Sequence, residues 1–176
     1  MATIHDAASG IAEIAKNTDT EWGREKRVIT HDTPLMAELD LASVLADENI
    51  AVDVARFKPG EDELAGKQRL RGLTEAAYIG VTGADWCAVD CAALAMLTGP
   101  GKGRATSLVP SLHIAVIALD NLVADLSEIY AHMRNLETMP ASMTFISGPS
   151  KTADIEAQLV HGAHGPREMH LFVVTG

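Results

Sequence analysis

The chain has 176 residues and a formal net charge of −10 at pH 7. This acidity opposes sustained contact with nucleic-acid phosphates, and an aromatic content of 4% leaves few rings for stacking bases. We therefore expect no nucleic-acid partner. The length suits one hydrophobic core and is short for two, so we expect a single domain over residues 1–176, with residues 1–24 as a candidate N-terminal helical extension.

Targeting and redox features point to one compartment. The N-terminus has no basic region before an apolar run, so it does not predict a secretory signal. The longest uncharged apolar tract, residues 112–119, is too short to span a bilayer, which predicts no membrane insertion. Cys87 and Cys91 are too close in the chain for a favourable mutual disulfide. These features favour a reduced, cytoplasmic setting.

Hydrophobic periodicity predicts alternating helices and strands. Helices are expected over residues 4–15, 35–47, 62–71, 84–90 and 122–136, and the first of them packs either on the domain or on a partner. Strands are expected over residues 28–29, 50–56, 78–82, 113–119, 143–146 and 170–174. Residues 93–97 and 106–109 would form a hairpin around the loop 98–104. The alternation predicts an α/β layered fold with a mostly parallel sheet, made mixed by the hairpin.

The closing tract predicts a strand followed by a helix. Gly148-Pro149 breaks the strand, and Ser150 or Thr152 can cap a short helix that buries Ile155 and Leu159. Exposed amides at the start of such a helix favour an anion. The alternative is self-capping by the acidic residues of its first turn, Asp154 and Glu156.

Three loops rich in glycine, hydroxyl or imidazole groups suggest an anion site. They are residues 82–85, 147–150 and 110–113. Ligands of open α/β sheets usually lie at the carboxyl ends of strands, so we expect the first two loops to meet at one edge. The alternative is that these residues only make turns. The candidate ligand-binding residues are Thr82, Gly83, Ser111, His113, Ser147, Gly148, Ser150, Thr152 and His164.

Two other patterns are weaker. The run Gly99-Pro-Gly-Lys-Gly-Arg104 lacks the spacing of a phosphate-binding Walker loop and of a dinucleotide fingerprint, so a solvated hairpin tip is favoured over a nucleotide site. The cysteines and histidines lack the paired spacing of a structural zinc site, and two cysteines are too few for an iron–sulfur cluster. We therefore expect no metal site on this chain, with Cys87 and Cys91 as small core residues.

Several segments resemble the LUD-domain family. Ser147-Gly-Pro-Ser-Lys-Thr-Ala-Asp-Ile-Glu156 and His164-Gly-Pro-Arg167 are similar to its closing signature. Upstream, Gly80-Val-Thr-Gly-Ala-Asp-Trp86 and Val109-Pro-Ser-Leu-His-Ile-Ala-Val-Ile117 stand in the family's order, so the resemblance extends from about Arg27 onward. The resemblance implies a three-layer α/β/α fold of the NagB/RpiA/CoA-transferase-like type.

The same resemblance implies a role in lactate utilization, an iron–sulfur-dependent oxidation of L-lactate. This chain would carry no cofactor of its own, while partner iron–sulfur oxidoreductase subunits carry the clusters. It would bind those partners and a small anionic molecule. An exposed apolar patch would favour this role.

The alternative is a transferase or isomerase acting on a CoA-, sugar-phosphate- or folate-like substrate. The family's run Ala-Glu-Thr-Gly-Thr is replaced here by Val89-Asp-Cys-Ala-Ala93, so Asp90 is the candidate catalytic nucleophile. A deep cleft that holds both Asp90 and His113 would favour this alternative.

Overall fold

The computed structural model of the chain describes residues 2–20, 25–153 and 159–175. Its α-helices are α1 (Ile4–Asn17), α2 (Pro34–Leu39), α3 (Leu41–Val44), α4 (Glu63–Ala76), α5 (Ala105–Leu108) and α6 (Leu126–Arg134). Its strands are β1 (Arg27–Thr30), β2 (Ala51–Val54), β3 (Ile79–Gly83), β4 (Trp86–Ala88), β5 (Ala93–Leu97), β6 (Leu112–Ala118), β7 (Leu122–Val123), β8 (Met143–Ile146), β9 (Lys151–Ala153), β10 (Leu159–His161) and β11 (Glu168–Val174). Within the described ranges, no helix combines the length and apolarity needed to cross a bilayer.

Five strands form a parallel sheet in the order β2-β1-β3-β6-β11. The chain first moves from β1 outward to β2 and then returns past β1 to β3. The core on one face packs the sheet against α1, α2 and α3, while α4 and α5 contact each other over the opposite face. The strand order therefore reverses between β1 and β3, and the carboxyl ends of these two strands flank a crevice.

The N-terminal helix belongs to the main core. Thr3 closes a capping box with Asp6, and the apolar face of α1 buries Ala7, Ala8 and Ile11. These residues pack in one cluster with residues of α2, α3 and β11. Of the two alternatives left by the sequence, the structure therefore shows packing on the domain.

The helix predicted over residues 35–47 is wrong as a continuous element. Asp40 adopts a left-handed conformation, with φ of 42°, and separates α2 from α3. A 3₁₀ turn, Ala46–Glu48, follows and ends at Asn49, which is also left-handed. Helices α2 and α3 still bury Met36, Leu39 and Leu41 in the core, so the predicted apolar face is kept although the helix is interrupted.

A second sheet, in the order β7-β4-β5-β8, accounts for other differences from the sequence predictions. The predicted helix 84–90 is wrong because Cys87 packs as a strand residue with Leu94 and Ile117. The hairpin pairs β4 with β5, and residues 106–109, predicted as its second strand, belong instead to α5 and its C-cap. Helix α6 begins only after the Asp125 cap, because Leu122 and Val123 pair with β4. The α/β class is confirmed, with the mixed pairing in this separate sheet.

The strands predicted in the parallel sheet are confirmed as β1, β2, β3, β6 and β11, and the strand 143–146 is β8. The helix predicted after Gly148 is not formed at either end of its range. Lys151–Ala153 pairs antiparallel with Leu159–His161, and Ile155, with Asp154 and Glu156, lies outside the described residues. Ser150 and Thr152 therefore do not cap a helix.

Helix α5 lies directly on the parallel sheet at Gly80. A Cβ built on Gly80 would stand 1.9 Å from the carbonyl oxygen of Thr106. Backbone oxygen of a packed helix cannot move aside as the end of a side chain can. Only glycine at this position allows α5 to contact β3 so closely.

We expect Gly80→Ala to lower the free energy of unfolding by about 3 kcal/mol, since overpacking forces the helix off the sheet. The matched control is Gly72→Ala in α4, where a Cβ meets nothing within 4 Å. That change should stabilise the protein by up to about 1 kcal/mol through helix propensity. Denaturant titration of both variants measures the difference, and equal stabilities would contradict the close contact.

Candidate functional site

The signature segments enclose a cavity of about 390 Å³, here called the signature cavity. It lies between the end of α5, the start of β6, the end of β8 and the loop that leads into β11. Its lining residues are Ser107, Leu108, His113, Thr144, Phe145, Ile146, Ser147, Gly148, Ser150, Lys151, His164, Gly165, Pro166 and Met169.

Five of the candidate ligand-binding residues line this one cavity: His113, Ser147, Gly148, Ser150 and His164. Thr82 lies behind it, since its hydroxyl is 2.8 Å from Nε2 of His113. The structure does not place Gly83 or Ser111 in the lining. Thr152 lies in β9, and its side chain is outside the description.

The expected meeting of Thr82-Gly83 with residues 147–150 at one carboxyl edge is wrong. Gly83 ends β3 opposite Val116, three residues further along β6 than His113. The loop 147–150 instead lies beside His113 and Met169, each the second residue of its strand. This loop follows β8, which belongs to the second sheet, so the edge rule for parallel strands does not govern its position.

Ser150 joins the two signature segments. Its N–H donates to the carbonyl oxygen of Pro166 at 2.7 Å, and its carbonyl oxygen accepts from the N–H of Gly162 at 2.9 Å. Its hydroxyl oxygen accepts from the N–H of His164 at 3.2 Å. These bonds satisfy the backbone across the loops rather than along a helix. Among the described residues, the Ser150 hydroxyl only accepts a hydrogen bond, so its hydrogen can be donated to a ligand.

His113 is deeply buried in the wall of the signature cavity, with 1% of its surface exposed, as is Ser107. The buried Thr82 hydroxyl has His113 Nε2 as its hydrogen-bond partner. If Nε2 accepts the hydroxyl hydrogen, only Nδ1–H is left without a partner among the described residues. The other tautomer would leave both the hydroxyl hydrogen and Nδ1 unpaired, so the geometry favours Nδ1–H.

Burial, and then the positive charge of nearby His31, lower the pKa of His113 to about 4. The imidazole is therefore neutral at pH 7. It can donate one hydrogen bond to an oxygen but contributes no formal charge to the site. An acceptor that reaches Nδ1–H would relieve a buried unpaired donor, which otherwise costs about 1–3 kcal/mol.

A second buried histidine, His31, was not among the candidates from the sequence. Its side chain is 2% exposed, and its Nε2–H donates to the carbonyl oxygen of Gly103 at 3.2 Å. Its Nδ1 has no partner in the described part of the chain. Burial lowers the pKa of His31 to about 4, although the bond to Gly103 opposes this shift. Its place directly after a buried strand was the available sequence signal.

The glycine-rich loop between β5 and α5 closes over the carboxyl ends of β1 and β3. The N–H of Asp32 donates to the carbonyl oxygen of Gly101 at 2.8 Å, and Lys102 forms an ion pair with Asp85. Gly101 has φ of 71°, and a Cβ there would stand 2.5 Å from the Asp32 carbonyl oxygen. The interpretation of this loop as a solvated hairpin tip is therefore wrong.

Asp90 lies exposed in the turn between β4 and β5 and does not line the signature cavity. Leu94 pairs with Ile146, so this turn and the loop that begins at Ser147 leave the second sheet at the same end. Ala92 has φ of 50° in the turn, at the glycine of the family's run. A non-glycine residue in this conformation stores local strain.

The thiols and histidines do not gather into a metal site in the structure. Across residues 2–20, 25–153 and 159–175, no three His, Cys, Asp or Glu side chains are grouped closely enough to hold a metal ion. Cys87 is a buried free thiol, as expected, whereas Cys91 is exposed, so the expectation that it is a core residue is wrong. Burial raises the pKa of Cys87, and a hydrogen bond with Asp90 raises that of Cys91, so neither thiol is activated.

The LUD domain matches residues 1–174 of this chain. The chain belongs to the LUD-domain family. It is 37% identical over 145 residues to lactate utilization protein C of Halalkalibacterium halodurans, covering 80% of this chain and 59% of that protein. It is 32% identical over 169 residues to the protein of the same name from Shouchella clausii, covering 94% of this chain and 70% of that protein.

The LUD-domain relatives differ from the chain in length. This chain spans 59% of the protein from Halalkalibacterium halodurans and 62% of the protein from Geobacillus sp.. A crystal structure of a DUF162 family protein from Deinococcus radiodurans aligns with a TM-score of 0.56 at 20% sequence identity, over 99% of this chain and 85% of that one. At this identity the structural match supports the fold alone.

The two buried histidines predict a pH dependence of stability. Their folded pKa values of about 4 lie below the ordinary value of 6.5, so the unfolded chain binds more protons between these limits. The free energy of unfolding should therefore fall as the pH is lowered from about 7 to about 4, by about 1.4 kcal/mol per unit of pKa shift at each site.

Denaturant titrations across this pH range test the expectation. His113→Gln or His31→Gln should reduce the slope of stability against pH, whereas His5→Gln, which changes an exposed histidine, should leave it unchanged. An unaltered slope in both buried variants would show that folding does not lower the pKa of these imidazoles.

Proposed function

We propose that this chain acts in lactate utilization as a subunit without an iron–sulfur cluster, which binds a small anionic ligand in the signature cavity. The observation that carries the proposal is the gathering of four other candidate residues, Ser147, Gly148, Ser150 and His164, around buried His113. The names of its relatives support the process, since they are lactate utilization proteins C. The clusters belong to partner subunits, because two cysteines supply too few thiolates.

The chemistry of the cavity suits a small carboxylate. Lys151 supplies a positive charge at the lining, and the hydroxyls of Ser147 and Ser150 supply donors beside it. Neutral His113 adds a buried donor through Nδ1–H. A carboxylate such as lactate has two acceptor oxygens for these groups, and its hydroxyl can bond to a second residue of the lining.

An exposed aromatic pair at the rim supports partner binding beside this ligand. Tyr130 and Phe145 meet edge to face, with ring centroids 6.1 Å apart, and they are 52% and 36% exposed. Phe145 also lines the signature cavity, and β8, which carries it, is an edge strand of the second sheet. Exposed aromatic side chains are typical anchors of protein interfaces. A cluster-carrying subunit docked here would cover the mouth of the cavity.

The alternative of a transferase or isomerase has less support. It called for one cleft that holds Asp90 with His113, and the signature cavity contains His113 without Asp90. Without a carboxylate nucleophile at the cavity, covalent transfer by that residue has no geometric basis.

We expect titration with lactate, pyruvate or phosphate to shift the backbone amides of Gly148 and Gly165 first, because both residues line the cavity. Lys151→Gln should weaken binding about 3- to 10-fold through loss of a charge-assisted hydrogen bond. Lys58→Gln is the matched control, because it removes an exposed lysine that does not line this cavity.

Nuclear magnetic resonance titration of the purified chain measures both the position and the strength of binding. Unchanged affinity in Lys151→Gln, or amide shifts confined to residues outside the signature cavity, would reject the proposed ligand site.

A further inference from the structure

We propose that a second cavity binds an anionic ligand with a planar ring, of about the size of a mononucleotide. This cavity has a volume of about 920 Å³ and lies between α4 and α5, at the carboxyl ends of β1 and β2. Its volume is within the usual range for small-molecule sites. Helix α5 separates it from the signature cavity, since Ser107 and Leu108 line one side and Thr106 and Val109 line the other.

The position is the one that α/β topology favours for ligands. Asp32 follows β1 and Arg56 follows β2, and both line the cavity. The cavity lies beside the reversal of strand order between β1 and β3, on the β2 side, at the edge where ligands of open α/β sheets usually bind. The loop 99–103 lies over the carboxyl end of β1, because its carbonyl oxygens accept hydrogen bonds from His31 and Asp32.

The lining is positive in an otherwise acidic chain. Arg56, Lys67 and Arg71 line the cavity with only two carboxylates, Asp32 and Glu75, whereas the whole chain has a net charge of −10. The ion pairs that these cations make are weak in geometry or exposed. Nη1 of Arg56 is 3.9 Å from Oδ1 of Asp32. The side chains of Lys67 and Arg71 are 64% and 80% exposed. Exposed pairs of this kind contribute little, so a phosphate can recruit the cations.

An apolar wall faces these charges. Phe57 and Val109 both line the cavity and are 48% and 50% exposed, so both offer apolar surface to a ligand. The Phe57 ring is held against α4, because a Cβ built on Gly66 would stand 2.4 Å from it. A ring fixed in this way offers a face on which a heteroaromatic ring can stack.

The glycine-rich loop permits close approach of a ligand to its backbone. At Gly99 and Gly103, a Cβ would meet nothing within 4 Å, and both residues line the cavity. The loop lacks the Walker spacing, so the phosphate is expected at the side-chain cations rather than in a ring of amides. Positive charge and an apolar ring face together identify a ligand that carries phosphate and a planar ring.

Adenosine monophosphate is the probe for this site, with adenosine and inorganic phosphate as its two halves. We expect the whole nucleotide to bind the purified chain more tightly than either half, with amide shifts at Gly99, Gly101 and Gly103. The double change Arg56→Gln and Arg71→Gln should weaken nucleotide binding about tenfold or more, through loss of charge-assisted hydrogen bonds. Arg134→Gln, an exposed arginine of α6 outside this cavity, should bind as the parent does.

Calorimetric titration and amide spectra decide the outcome, with the spectrum of each variant confirming that it is folded. Phe57→Ala provides a second variant and should weaken nucleotide binding while leaving phosphate binding unchanged. Absence of nucleotide binding, equal binding of adenosine and the nucleotide, or full affinity in the folded double variant would overturn the proposal. Because none of these residues lines the signature cavity, the outcome is independent of the proposed lactate-utilization role.

Discussion

The direct contact between α5 and the parallel sheet organises both cavities of this protein. The absence of a Cβ at Gly80 lets the carbonyl oxygen of Thr106 rest on β3, and the short helix α5 lies there between the two cavities. Ser107 and Leu108 line the signature cavity, and Ala105, Thr106 and Val109 line the second one. A shift of α5 away from the sheet would therefore change two sites at once. Packed interfaces transmit such displacements because protein interiors contain few voids that could absorb them.

The same contact explains why two histidines are buried beside a helix of only four residues. Gly80 of β3 pairs with His113 of β6 on one side. His31 directly follows β1, the neighbouring strand on the other side of β3. Each imidazole has one bonded nitrogen and one unpaired Nδ1 among the described residues. Unpaired polar atoms in a core lower stability, and proteins retain them mainly where a function requires them. The hydroxyl of Thr82 is bonded to Nε2 of His113, so in the proposed function Thr82 positions this donor.

The sequence predicted the parallel strands, and it singled out five residues that line the signature cavity, because their signals are local. Buried strands such as β6 are continuous apolar runs, and the resemblance of the signature identified Ser147, Ser150 and His164 as one group. The pairing of β9 with β10 was missed, although the two strands are close in sequence, because Ser150 and Thr152 favoured a helix cap. The second sheet was missed because a strand as short as β7 forms only by pairing with β4, a partner distant in sequence. The role of the loop 99–103 was missed for the same reason, because its contacts are with Asp32 and Asp85. Long-range contacts of this kind override local propensity.

The protonation state of His113 tests the central claim that a buried neutral imidazole forms part of the signature cavity. Long-range proton–nitrogen correlation spectra of the ¹⁵N-labelled protein identify the tautomer, and a pH series gives the pKa. The account predicts a hydrogen on Nδ1, an unprotonated Nε2 that accepts from Thr82, and titration near pH 4. A hydrogen on Nε2, or titration near the ordinary value of 6.5, would show that the Thr82–His113 pair does not hold the site in this form.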